Sequence, residues 1–367
     1  MNFWFLASLV GVAIGAAIPG HAAAQNPQVA GPGKIPGGFY RLASSVVLPG
    51  RSPDWDYLAY DPRHHHLFIA RREAGLWVFD TAHGRLVGRI RKTKGAGGTV
   101  LVPELGRGFS ANEDGSTTVF DLSTLKVLRR IKFASDADAG TYDAVTGKVS
   151  FVSADSRRVT FINARTLAIT GKVSLQANKA DGSSPDGEGG LLVNERDRDS
   201  VVRIDINAQR VTAEWPIPGC HQPTGMAVDP VHHRAFIGCR SDAPVLAVID
   251  SGHGKIVTTL TLGRGNDGVV YDSARHRILT TNGVDANIVV FDQVDPDIYR
   301  LEQAITTRPS ARTLAYDQAS GRIFTVAAQG VVNPAAPVNT GPSAFYPNAY
   351  YDGTFVVLTY LATPTHK

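Results

Sequence analysis

Only two cysteines, Cys220 and Cys239, occur in 367 residues, so the chain has material for one disulfide bridge and no more. The short signatures of common catalysts are missing too. There is no GxSxG, no HExxH, no phosphate-cradling Walker loop and no CxxCH haem attachment, which removes the reaction classes those motifs support. No stretch beyond the first 25 residues holds eighteen consecutive apolar residues, so nothing later reads as a membrane-spanning helix. A large charge excess is also lacking. Formal net charge is +4, far from a dedicated basic surface, and binding to nucleic acid stays open without being indicated.

The apolar run that does occur stands at the start, in MNFWFLASLVGVAIGAAIPGHAAAQ. It is short for a span, is broken by Pro19-Gly20, and leads into Ala22-Ala23-Ala24, which suits a small-residue cleavage site. Residues 1–24 are therefore expected to be a cleaved signal peptide, with a retained N-terminal anchor as the alternative. Residues 25–39 read as a linker, and the protein is expected in the periplasm or secreted. In an oxidising compartment Cys220 and Cys239 are expected to pair, two buried free thiols being the alternative.

Apolar-Asp endings recur at Asp80, Asp121, Asn163, Asp205, Asp250 and Asp292, with steps of 41, 42, 42, 45 and 42. A period near 42 suits a four-stranded propeller blade. Five units also carry a second apolar-Asp ending, at Asp61, Asp143, Asp229, Asp272 and Asp317, followed by a polar turn and an apolar run. Short β-branched strands between Gly, Asp and Asn turns indicate an all-β fold. Seven outer-type strands and seven inner triplets can be counted between residues 40 and 361, with an orphan outer strand first and an orphan triplet last. The fold expected is a seven-bladed β-propeller whose N-terminal strand closes the last blade, followed by a tail at 362–367.

His64-His65-His66 attracts notice as a metal motif. The same turn elsewhere holds His232-His233-Arg234, Arg275-His276-Arg277, Gly321-Arg322 or Gly147-Lys148, so it is read as a solvated turn. Chemistry is expected instead where the first strands begin, around the channel mouth. Asp56, Asp138, Asp181, Gln222, Thr224, Asp267 and Arg312 occupy those positions. Four carboxylates and one arginine suit a calcium or magnesium ion, or a polar ligand oriented by Arg312. Equally, such acids can hold neighbouring backbones and water in any propeller. The insertion Gln329–Gly353 lies on the same face; Phe345, Tyr346, Tyr350 and Tyr351 are its lid candidates, unless it packs on its own blade. Arg71-Arg72, Arg157-Arg158 and Arg196–Arg198 alternate with acids and read as a solvated rim, with single-stranded nucleic acid as the functional alternative.

WDYLAYD, PTGMAVDPVHHRAFIGC, NDGVVYDSARHRILTTNG and ARTLAYDQASGRIF resemble the YncE-like, YVTN-type β-propeller repeat proteins of bacteria, over about residues 40–360. The resemblance implies an exported seven-bladed propeller and does not imply an enzyme. Relatives tend to carry an HG pair where this chain has Gly97-Gly98, so a histidine-containing metal site is not carried over, whereas the acids at Asp138 and Asp181 persist. The function expected is non-catalytic binding or scaffolding at the channel mouth, for a small polar ligand, a cation or a periplasmic protein partner. The alternatives are a calcium- or magnesium-assisted hydrolase, lactonase-like or lyase, at the same mouth, and single-stranded nucleic-acid binding on the basic rim.

Overall fold

The computed structural model describes residues 40–51, 54–153, 156–335 and 347–362. The expected leader and linker, the last five residues of the tail, and the lid candidates Phe345 and Tyr346 lie outside them. Ala362, assigned to the tail, instead ends the last strand, Val356–Ala362.

Seven four-stranded antiparallel sheets follow one another, each a meander from an inner to an outer strand. Blade 1 runs Leu58–Asp61, His66–Ala70, Leu76–Asp80 and Arg85–Ile90. Blades 2 to 6 begin at Ala96, Ala139, Ala180, Pro223 and Asn266. Blade 7 takes its three inner strands from Leu314–Asp317, Arg322–Ala327 and Val356–Ala362, and its fourth from Tyr40–Val47. Tyr40 faces Ala362 and Val47 faces Val356 in that last pairing. Joining the two ends of the chain leaves the ring without an unmatched blade, the closure that the strand count requires.

Alternation sets the packing. The rings of Phe109, Phe151, Phe161, Phe236 and Phe324 are each buried to 1 % exposure or less and pack in clusters shared by neighbouring blades. Blades 1 and 7 share one such cluster, in which Trp55, Leu67, Ile69 and Trp77 meet Phe324, Phe355 and Val357. Tyrosines add polar ties across blades: Tyr271 donates to Asp229 at 3.0 Å and Tyr316 to Asp272 at 2.5 Å.

Most of the recurring aspartates that reveal the repeat are turn caps, whereas Asp292 lies within the strand Asn287–Asp295 and pairs with Arg277 and Arg300. Asp80 accepts from the backbone of Ala82 and His83, Asp121 from Ser123 and Thr124, and Asp205 from Asn207 and Ala208. A short carboxylate at that position captures the two amides that a tight turn leaves unpaired. The triple histidine belongs to the same device. His64 Nδ1 meets Asp61 at 2.6 Å, as His232 meets Asp229 at 2.7 Å. His65 has φ of 55°, and the equivalent residues Gly147, His233, His276 and Gly321 have φ of 66°, 53°, 51° and 74°. What the slot requires is left-handed backbone, which glycine supplies freely and histidine tolerates.

The candidate site: an arginine–aspartate ring at the channel mouth

First strands from all seven blades surround a cavity of about 220 Å³ on the axis. Five of the blades each contribute a glycine to its wall: Gly98, Gly140, Gly182, Gly225 and Gly268. The reason is crowding, since a Cβ on Gly182 would stand 2.2 Å from the Thr224 carbonyl of the next blade. Only a residue without a side chain lets these strands approach so closely.

At the mouth of this cavity the structure gathers the acids expected there, but not as free carboxylates. Asp56 pairs with Arg72, which also reaches Asp138 at 3.0 Å and Glu113 at 3.5 Å. Asp181 meets Arg196 at 3.3 Å, and the same guanidinium donates to Gln222 Oε1 at 3.1 Å. Asp267 lies between Arg240, at 2.5 Å, and Arg312, at 3.0 Å. Arg312 continues to Asp54 at 3.3 Å and to the Trp55 carbonyl. Tyr57, from blade 1, donates across the axis to Asp181 of blade 4 at 3.0 Å. Thr224 does not join the ring. It is fully buried, and its hydroxyl donates to the Gln222 carbonyl at 2.9 Å, holding the backbone that presents Gln222.

Four ring aspartates thus face four arginines, where the sequence offered one. Arg72, Arg196 and Arg240 were the residues that sequence reasoning missed or misplaced. Arg196 and Arg240 each stand directly after a second strand, at the ends of Gly190–Glu195 and Arg234–Cys239. That slot was the available signal, because a residue there can turn to the axis as readily as to solvent. The solvated-rim reading is therefore corrected for Arg71 and Arg196, the first fully buried and the second 8 % exposed, while Arg157 is exposed as that reading expects. Arg71 lies 4.0 Å from both the Trp77 and the Phe355 ring centroids, with Nη2 donating to the Arg51 carbonyl at 2.7 Å. Arg198 does keep to the outside, between Glu195 at 3.2 Å and Glu214 at 2.6 Å.

Burial shapes the electrostatics of the ring. It pushes the Asp181 carboxyl up to about 6, against the pull of Arg196 and with Asp267 adding like charge. Burial also drives Asp56 well above the ordinary carboxylate range, against Arg72 and with the help of Asp138. Tyr57 is raised by burial and by Asp181, which keeps its hydroxyl protonated and able to donate. Around Arg312, burial favours loss of the charge, but Asp54, Asp267 and Asp56 outweigh it and hold the guanidinium firmly protonated.

The lid candidates divide. Tyr350 packs on Trp55 with ring centroids 4.6 Å apart and donates to Ser310 at 3.1 Å, so it buttresses the Arg312 corner of the mouth. Tyr351 is 54 % exposed. The stem of the insertion is a small ribbon, Gly330–Val331 paired with Ala349–Tyr350.

Cys220 and Cys239 are bonded, with Cα atoms 5.1 Å apart. Their bridge stands two residues before Gln222 and one before Arg240, and so ties together the two chain segments that blade 5 contributes to the ring.

A hard cation wants several carboxylate oxygens left free to converge. Here each ring carboxylate is engaged by guanidinium, and among the described residues no group of three or more His, Cys, Asp or Glu side chains is placed to hold a metal. A calcium or magnesium ion at this mouth would have to take those carboxylates from their arginines.

The sequence matches no protein-family model and no curated protein. Solved structures share the architecture. The RRP9 WD40 repeats superpose with a TM-score of 0.70 at 9% identity, covering 88% of this chain and 100% of that one. U3-55K gives 0.69 at 9% identity, covering 86% and 98%. A chain of Kuenenia stuttgartiensis hydrazine synthase gives 0.64 at 12% identity, covering 87% and 97%. At these identities the likeness is one of fold. The protein is a seven-bladed β-propeller with WD40-like structural neighbours. Among its described residues no helix is long and apolar enough to cross a membrane.

Proposed function

We propose that this propeller is a non-catalytic binding protein that takes a small polar ligand at the mouth of its channel. The observation that carries the reading is the ring of four aspartates and four arginines set over an axial cavity of about 220 Å³. Charges of both signs, already oriented and partly withdrawn from water, suit a ligand that offers both donors and acceptors, such as a zwitterion or a polyhydroxylated acid. Ligand groups would exchange with ring contacts of matching sign, so binding adds no unpaired buried charge. The resemblance to YncE-like propellers, the leader-like N-terminus and the Cys220–Cys239 bridge support an exported location.

The metal-assisted hydrolase reading has no comparable support, because the carboxylates that would hold the ion are engaged by arginine. Single-strand binding on a basic rim loses Arg71, Arg72 and Arg196, which turn inward.

Thermal unfolding in the presence of amino acids, sugar acids and polyols tests the proposal. At a ligand concentration about a hundredfold above Kd, one class should raise the midpoint of the parent by about 3 °C or more. The Arg240→Gln and Arg196→Gln variants should lose that rise. If no class moves the parent, the small-ligand reading fails.

A further inference from the structure

On the side of the ring, far in sequence from the mouth residues of blades 3 to 7, the outer strands of blades 1 and 2 form a trough of about 720 Å³. Six cations line it: Arg89, Arg91, Lys92, Lys126, Arg129 and Arg130. No acidic side chain does. The two stretches concerned, RLVGRIRK at 85–92 and KVLRRIK at 126–132, hold eight of the chain's 37 Lys and Arg and none of its 33 Asp and Glu. Without them the remaining 29 cations would face 33 acids, so the positive balance of the whole chain rests on this one surface. Arg130 turns back to Asp114, whereas Arg91, Lys92, Lys126 and Arg129 form no ion pair among the described residues.

We propose that this trough docks an extended acidic segment of a partner protein. Arg85–Ile90 and Val127–Lys132 are the outermost strands of their sheets, each paired on one side only, so a backbone edge is open along the trough. Val87 and Leu128 are 45% and 51% exposed and give an alternating segment an apolar contact between its carboxylates. A nucleic acid is less well matched, since no aromatic side chain lines the trough and Trp77, beneath Arg89, is 2 % exposed. A bilayer is less well matched because the surface is concave.

The test is fluorescence anisotropy with a short labelled peptide alternating Glu with Val and Leu, against its Gln counterpart, an oligothymidylate and phosphatidylglycerol vesicles. The Glu peptide should bind best, and raising salt from about 50 mM to about 300 mM should weaken it. Arg91→Glu with Arg129→Glu should lower its affinity by about tenfold or more, while Asp181→Asn, at the mouth, leaves it unchanged. A milder Arg91→Gln, Arg129→Gln pair, checked for an unaltered melting curve, should give a smaller loss. No binding by the parent, equal binding by the charge-reversed protein, or tighter binding of the oligonucleotide or vesicles would each overturn the proposal.

Discussion

Asp181 shows how one side chain can carry the character of the whole mouth. It is held between Arg196 and the Tyr57 hydroxyl, yet burial keeps its proton affinity high, at about 6 against an ordinary 3.8. The folded protein therefore binds that proton more tightly than the unfolded chain does. This favours folding fully below about 3.8, and the advantage is lost as pH rises through about 6. Urea unfolding between those values should show stability falling more steeply in the parent than in Asp181→Asn, with the two profiles diverging by up to about 3 kcal/mol. Comparing slopes sets aside the constant penalty of leaving Arg196 without its partner. Parallel profiles would mean that Asp181 is an ordinary ionised member of a salt bridge. The aspartate at the turn between the third and fourth strands of blade 2 behaves oppositely: Asp121 is lowered to about 2 by the hydroxyls and amides of Ser123 and Thr124. Sequence alone distinguished these two populations only by their place in the repeat.

Among the elements, the first hairpin of blade 5 links stability to the site most directly. Cys220 and Cys239 close a loop with a sequence separation of 19 around the strands Pro223–Asp229 and Arg234–Cys239. Replacing both with Ser should lower unfolding stability by about 3 kcal/mol in the chain-entropy account. It should also weaken whatever the mouth binds, because Gln222 and Arg240 leave the ends of that hairpin. Denaturant unfolding measures the first effect, and a cost below about 0.5 kcal/mol would show that the bridge constrains little. This hairpin was legible in the sequence, since strand alternation, the Asp229 turn and the two cysteines all agree in register. The direction of Arg240 was not. A long side chain leaving the end of a strand reaches either the rim or the axis, and the choice is made by Asp267 on the next blade, a contact that local pattern cannot specify. Arg72 and Arg196 escaped for the same reason. The insertion was legible as long but not as a ribbon with Tyr350 against Trp55, because two-residue strands leave almost no periodic trace.

For the molecule as a whole, the repeat made blade number and closure readable, because an orphan outer strand at one end and an orphan triplet at the other admit one economical pairing. Charge placement was not readable in that way. It depends on which faces meet across blades distant in sequence, and it decides what the mouth can hold. Each of the four ring aspartates has a guanidinium partner, and we propose on that ground that the mouth is not a cation cage. Isothermal titration of calcium and magnesium into the purified, metal-stripped protein tests this most directly, with an Asp56→Ala, Asp267→Ala double variant alongside. We expect no saturable heat from the parent with either ion. A saturable calcium heat in the parent that disappears in the double variant would contradict the account, since it would show the ring's carboxylates releasing their arginines to a metal.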